Sequence, residues 1–394
     1  IKGEYPYSFD QAFKKLKYNI KDFTEEELVE LQEQGQADWI LVNGSVKFNE
    51  SFYGSLLKTR ADLEARLINK SESNDERDHF LNDNIKDMKQ NGEASYYIHL
   101  KTSVKVKKES ARIGEKIIVH MPIPINCQQS DIKIIKTTPE ATFIAPEDYP
   151  QRTAYFETEL MENQEFSVEY SYESHLKFFN PDLSMVDINQ PTFCTEEVEP
   201  HIMFTPYIKE LTKEIIGEET NSLIKARKIY DYITQNVKYS YMRAYSTIVN
   251  IPEYAALNLK GDCGVQGLLF ITLCRCAGIP AKWQSGLAVT PYNVGPHDWA
   301  QIYVEPFGWM YADPSFGGGA LRNENTEKWN FYFGNLDPFR MVANSEFQYE
   351  FNPPKKYWRH DPYDNQVGEC EYEDRGLRRE EYKVDYQLID MHKI

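Results

Sequence analysis

Apolar residues recur at helical spacing through the first ninety positions, alternate with polar ones from about Ser95, and return to helical spacing after residue 205. Thr24 followed by Glu27 reads as a capping box, with Phe23 and Leu28 as the hydrophobic staple of a helix that stops before Gly35. Leu56, Leu57, Ala61, Leu63, Leu67 and Ile68 predict a second helix over residues 54–68. The charged, amide-rich stretch 70–92 is interrupted repeatedly by Asn and Asp, and reads as a connector or fraying helix and as a first boundary.

Beyond it, Tyr96, Ile98, Leu100, Val104 and Val106 alternate with polar neighbours, and residues 117–125 and 132–135 read as further strands. A hairpin is expected to join residues 154–160 to 166–172 across MENQE, with Phe166, Val168, Tyr170 and Tyr172 on one face. Short strands at this spacing predict an antiparallel sandwich ending near Phe179, a spacer that shapes or presents the domain that follows. After a linker, Thr205 caps and Pro206 opens a helix ended by Gly217; a second helix from about Ser222 turns Ala226, Ile229, Tyr230, Ile233 and Val237 inward.

Residues 261–280, GDCGVQGLLFITLCRCAGIP, set Cys263 between Gly261 and Gly264 and ahead of a helical run of Val265, Leu268, Leu269, Thr272, Leu273 and Cys276. Gly278 and Pro280 end that run. A cysteine at a helix N-terminus faces unpaired N–H groups and the positive end of the dipole. Its thiol is therefore expected to shift toward thiolate, the form that attacks carbonyl carbon. The same residue also suits an ordinary buried position, where free cysteine is common.

Residues 296–318, PHDWAQIYVEPFGWMYADPSFGG, read as a strand, a turn and a second strand. Alternation puts His297, Trp299, Gln301 and Tyr303 on one face, and Asp298, Ala300, Ile302 and Val304 on the other. With an odd-length loop around Glu305, Pro306 and Phe307, Asp313 falls opposite Trp299 and shares the face of His297; an even loop would separate them. An imidazole beside a thiol acts as its base, and a carboxylate fixes the tautomer and stabilises the charged ring.

Cysteine at a helix start, then histidine and aspartate on paired strands, resembles the transglutaminase-like superfamily. These are papain-like thiol enzymes that include transglutaminases, bacterial thiol peptidases and amide hydrolases. The resemblance rests on GDC at 261–263, RCAGIPAKWQSG at 275–286, HDWAQIYV at 297–304 and GWMYADPSFG at 308–317, and spans about residues 200–320. It implies Cys263 as nucleophile, His297 as base and Asp313 as orienting carboxylate.

The resemblance also directs attention to KYSYMRAY, residues 238–245, for a side chain that completes the oxyanion hole. Animal transglutaminases use a tryptophan in that region, whereas here none lies between Trp39 and Trp283, so Tyr239 or Tyr241 is the candidate donor, although either also suits the core. Gly264, where those enzymes carry tryptophan, and Trp299, on the face of His297, are further candidates for oxyanion or substrate contact. The glycines 317–319 read as a tight or mobile loop beside Asp313, and His360 is set aside as a base because its segment is polar and proline-interrupted. No loop carries the alternating carboxylates of a calcium site.

Composition removes several alternatives. The six cysteines form no regular framework and the eight histidines are scattered, so no disulfide scaffold, metal site or cofactor is expected. A net charge of -17 argues against a nucleic-acid partner. No window reaches membrane-spanning length and the opening IKGEYPYSFD has no basic start before an apolar run; a non-membrane, cytoplasmic protein is expected, although a trimmed export signal would leave the same sequence.

The expectation is an α+β protein. A helical region over 1–92 and an antiparallel β-sandwich over 93–180 precede a papain-like, transglutaminase-like catalytic domain over 195–394 with a C-terminal β extension. It is expected to hydrolyse peptide, protein or other amide substrates through a cysteine thioester. An amine in place of water would make it a protein-glutamine acyltransferase, and a chain without the chemistry would be a binding or scaffold protein on the same fold.

Overall fold

The predicted Thr24 capping box forms: Glu27 N donates to Thr24 Oγ1 at 3.3 Å and Thr24 N to Glu27 Oε2 at 2.9 Å, with Phe23 and Leu28 buried. It opens the helix Glu25–Glu33 in a computed structural model that describes residues 3–69, 72–361 and 363–394. This helix, with Phe9–Asn19, Phe52–Thr59 and Ala61–Ala65, surrounds a small sheet of Tyr7–Ser8, Ser45–Phe48 and Trp39–Val42 and closes a core of its own. The helix expected over 54–68 is split at Arg60, whose ψ of 86° breaks the ladder.

Among the described residues, the stretch read as a connector or fraying helix is a continuous helix, Glu72–Asn91. Leu81, Ile85 and Met88 stand four and three residues apart and are buried, the last two against Leu176, Phe331 and Leu336. Burial of that stripe outweighs the weak helix propensity of its Asn and Asp residues.

Two four-stranded antiparallel sheets follow. One runs in the order Tyr382–Lys393, Glu93–Val106, Phe166–Lys177, Gln129–Thr138; the other runs Glu369–Tyr372, Lys116–Pro122, Thr153–Glu159, Phe143–Ile144. Ile98, Leu100, Val119, Phe156, Tyr170 and Cys370 share one core between them. The hairpin expected across MENQE does not form. Its two strands lie in different sheets and face each other through Phe156 and Phe166, whose rings meet edge-on at 5.6 Å. Both strands carry large inward apolar residues, so each belongs to a separate layer of the core. Both sheets are completed by strands from the far end of the chain.

The helices Pro206–Ile216 and Ser222–Asn236 appear where sequence placed them, capped by Thr205 and Asn221. They brace the helix Cys263–Cys276, which lies on a five-stranded antiparallel sheet ordered Phe333–Gly334, Gly308–Ala312, Asn293–Val304, Ala281–Thr290, Arg340–Asn344. Val265, Leu268 and Leu269 of the helix meet Ile229, Ala300 and Ile302 in its core. A helix not anticipated, Ile251–Asn258, and the short parallel pairing of Lys238–Tyr239 with Lys260–Gly261 deliver the chain to Cys263. The glycines 317–319 lie inside the helix Pro314–Arg322, not in a loop. A Cβ at Gly317 would fall 1.7 Å from Tyr230 Oη, so glycine lets two helices touch. No helix among the described residues is long and apolar enough to cross a membrane.

Candidate active site

Glu305, Pro306 and Phe307 close the hairpin, and pairing runs from Val304 with Gly308 to Ala300 with Ala312. The loop is therefore odd in length, and Asp313 follows on the face of His297. His297 Nε2 lies 2.7 Å from Asp313 Oδ2. Asp313 also caps the helix Pro314–Arg322, its Oδ1 accepting from Phe316 N at 2.9 Å. Arg340, on the edge strand, places Nη2 3.1 Å from Asp313 Oδ2 and 2.7 Å from Asp337 Oδ2.

All four of these side chains are buried. Burial alone would raise the Asp313 carboxyl, but the His297 ring, the Arg340 guanidinium and the Phe316 N–H together hold it below its ordinary range. For His297, burial outweighs the pull of Asp313, so the imidazole titrates below its ordinary value and is neutral near pH 7. With Nε2 turned to Asp313, Nδ1 has no partner among the described residues.

Trp299, a candidate for substrate contact, lies behind the imidazole and does not line the cavity. It is fully buried, stacked 6.1 Å from the His297 ring, and donates from Nε1 to Gln284 Oε1 at 2.8 Å. Together with Phe316, 4.3 Å from the imidazole, it fixes the plane of the histidine.

At the other end of the site, Asp262 caps the cysteine helix, its Oδ1 accepting from Val265 N at 3.1 Å and from the Tyr245 hydroxyl. Cys263 is the first residue of the helix and partly exposed, as its sequence context required. Its thiol, however, donates to Asp298 Oδ2 at 3.1 Å and makes no hydrogen bond to His297. Asp298 sits on the strand face that carries Ala300 and Ile302, the face turned to the helix. Its Oδ1 accepts from Gln366 Nε2 at 2.7 Å.

Burial, and then the carboxyls of Asp298 and Asp262, push the Cys263 thiol well above its ordinary value. The expected thiolate is thus not the resting form, because the helix end contributes at most about 2 kcal/mol and two buried carboxyls oppose it. Burial also lifts Asp262 to about 6. Asp298 is raised further, by burial and then by the neighbouring Asp364.

The two candidate tyrosines part company. Tyr239 is buried close to Cys263, and burial followed by the nearby sulfur raises its phenol well above the ordinary value, which keeps it a donor. Tyr241 is 36 % exposed, its ring turned to Gly54 and set edge-on to Tyr239 at 5.5 Å. The tyrosine that meets the helix start is Tyr245, which sequence passed over. Gly264 matters for a related reason: a Cβ there would fall 2.6 Å from Tyr245 Oη and 3.1 Å from Asp298 Oδ2. His360 Nδ1 is 3.1 Å from Tyr382 Oη and 3.6 Å from Glu369 Oε1.

Cys263, His297, Asp298, Tyr239 and Tyr245 line a cavity of about 2160 Å³, and Tyr53, Gly54 and Lys58 of the N-terminal helices line it too. Among the described residues, no group of three or more His, Cys, Asp or Glu side chains is disposed to hold a metal ion.

Residues 209–314 match the family model of the transglutaminase-like superfamily. The segment is similar to a transglutaminase-like core. It carries Cys263, His297, Asp298 and Asp313, while Arg340 and Asp364 lie beyond the matched part. An uncharacterised protein of Haemophilus influenzae is 26 % identical over 137 residues, a match that spans 29 % of this chain and 37 % of that protein. Among solved structures, a Cytophaga hutchinsonii protein proposed to be a cysteine protease aligns with a TM-score of 0.40 and 15 % identity, over 77 % of this chain and 90 % of the other. The periplasmic domain of TgpA from Pseudomonas aeruginosa aligns with a TM-score of 0.30 and 12 % identity, over 62 % of this chain and 95 % of that domain.

Proposed function

We propose that the protein is a thiol hydrolase of peptide or other amide bonds, with Cys263 as nucleophile, His297 as base and Asp313 as orienting carboxylate. The observation that carries this reading is the buried His297–Asp313 pair, 2.7 Å apart, with Nδ1 unengaged and its ring lining the same cavity as Cys263. Substrate entry exchanges the thiol's bond to Asp298 for one to His297 Nδ1, which takes the proton as sulfur attacks the carbonyl carbon. General-base help of this kind contributes about 10²–10⁴-fold.

The backbone N–H of Cys263, at the helix start, and the Tyr239 hydroxyl are the proposed donors to the oxyanion. The imidazolium then returns its proton to the leaving amine, the C–N bond breaks, and a thioester remains on Cys263. Water, deprotonated by His297, adds to the thioester and releases the acid with the thiol restored. Asp313, held by Arg340, keeps Nε2 protonated throughout. A cavity of about 2160 Å³ admits water to the thioester, which favours hydrolysis over acyl transfer.

Incubation with a peptide library, with and without a primary amine, tests the reading. Shortened or deamidated peptides without amine, lost in Cys263→Ala, are the expected result. Amine incorporation in preference to deamidation would make the protein a transferase. Neither product, with partner binding intact in Cys263→Ala, would make it a scaffold.

A further inference from the structure

Beside Cys263 the cavity lining carries a cluster of carboxyls that, among the described residues, forms no ion pair with the basic residues of the same lining, Lys58, Lys107, Arg243 and Arg322 included. Asp298, Asp361 and Asp364 line the cavity, and Asp364 is only 3 % exposed with Oδ2 lacking any hydrogen-bond donor among the described residues. Arg359 acts on Asp361 and Asp364 without pairing to either carboxyl, and it and Lys355 are bonded to other groups. Lys355 Nζ is 2.6 Å from Glu369 Oε2, Arg359 Nε is 3.5 Å from Glu369 Oε1, and the Arg359 Nη atoms donate to the carbonyls of Tyr349 and Asp364. Further along the cavity lining, Arg379 Nη1 donates to the Tyr382 carbonyl at 3.3 Å and Arg378 Nη1 is 3.8 Å from Glu380. Among the described residues, no ion pair involves Asp298, Asp361 or Asp364.

Buried carboxylates without a counter-charge are costly, and such a cluster is balanced either by protons or by a cation. Protons are one means: burial raises all three carboxyls, and repulsion from Asp364 raises Asp298 and Asp361 further, whereas hydrogen bonding with Ser285 and Asp298 offsets part of the rise at Asp364. A metal ion does not suit the arrangement, since no three of these groups converge. An ammonium or guanidinium does, because it brings a donor to Asp364 Oδ2, which lacks one, and needs no fixed coordination geometry.

We propose that Asp298, Asp361 and Asp364 form a subsite for the cationic end of a basic side chain, lysine or arginine, flanking the amide that Cys263 attacks. The inference rests on the reading of Cys263 as the attacking group and assigns the substrate class of that site. Since the Cys263 thiol already bonds Asp298 Oδ2 at 3.1 Å, a cation drawn to Asp298 competes with that bond and frees the sulfur for His297.

The test uses the full chain and three thiol reagents of similar size, 2-aminoethyl, methyl and 2-sulfonatoethyl methanethiosulfonate, with Cys263 modification followed by peptide mass spectrometry. The cationic reagent is expected to outpace the anionic one by about tenfold or more, and raised ionic strength should shrink the ratio. Asp361→Asn and Asp364→Asn should each shrink it too; Asp361 is partly exposed, so its variant keeps the test valid if Asp364→Asn fails to fold. A ratio near one, or a ratio unmoved by salt and by Asp361→Asn, overturns the subsite. Peptides with lysine on the acyl side or the amine side of the scissile bond then assign the cation to one side, and turnover equal to that of lysine-free peptides overturns the proposal. These reagents need no turnover, so an intact charge ratio with no peptide cleaved would remove the hydrolytic reading and leave the subsite standing.

Discussion

The two aspartates that flank His297 in this site behave in opposite ways. Asp313 meets an imidazole, a guanidinium and a helix N–H, and is held ionised although fully buried. Asp298, the residue after His297, meets a thiol, an amide and another carboxyl, and is driven toward its protonated form. Both are buried carboxyls, one bonded to the His297 ring and the other on the next residue, so burial does not decide their charge; the sign of their neighbours does. The base end of the site is finished before substrate arrives. The nucleophile end is left short of positive charge.

The largest way to break this comparison is at the finished end. His297→Ala should lower kcat/KM on the order of 10⁴-fold, measured on a peptide cleaved by the wild type. Turnover within tenfold of wild type would place the base elsewhere, with His360 the next histidine to examine.

Arg340→Met removes one partner from a buried three-member ionic cluster and leaves Asp313 and Asp337 facing each other. A loss of about 3–5 kcal/mol is expected in urea unfolding. A cost under about 1 kcal/mol would mean that the cluster is not what holds Asp313 ionised.

At the nucleophile end, Asp298→Asn removes the carboxyl that accepts from the Cys263 thiol and that, whenever it is ionised, disfavours the thiolate. Iodoacetamide labelling of Cys263 near pH 7 should accelerate roughly tenfold, and its pH midpoint should fall. Slower labelling would show instead that Asp298 assists ionisation.

The pH dependence of stability separates the ends by sign. His297 titrates low when folded, so the unfolded chain binds more protons as pH falls below about 6.5 and the native state loses stability there. Asp364 titrates high when folded, so its contribution is present in acid and declines as pH rises. Asp364→Asn should therefore gain on wild type as pH rises above the ordinary aspartate value of about 3.9; a difference flat with pH would deny that Asp364 is perturbed. Smallest of all, Tyr241→Phe should change kcat/KM less than about twofold, whereas Tyr239→Phe should lower it several-fold if its hydroxyl meets the oxyanion.

Much of the site was legible because it depends on short-range rules. A helix start, a period of two and the length of one loop placed Cys263 at an N-terminus and Asp313 beside His297. Asp298 was legible only in part: alternation put it on the face away from His297, but nothing local said that this face meets the cysteine helix. Arg340 carried no signal, because its partner Asp313 caps a helix just past another strand of the sheet and no spacing rule links them. One missed feature was local after all. Val42, Asn43, Gly44 and Ser45 form a two-residue hairpin with Asn43 and Gly44 at φ 51° and 75°, the usual Asn-Gly signal.

The sequence by itself determined most of the element types, the caps at Thr24 and Thr205, and, once the loop is odd, the shared face of His297 and Asp313, because each follows from neighbours within one or two turns or across one short loop. Only the tertiary structure decided that residues 72–91 hold a helix, that 154–160 and 166–172 face each other in different sheets, and that the Cys263 thiol rests on Asp298. These depend on which surface covers a stripe of apolar residues, or on which charge stands opposite a buried group. Such partners are brought together by packing layers whose members lie far apart in the chain, and a local pattern carries no record of them.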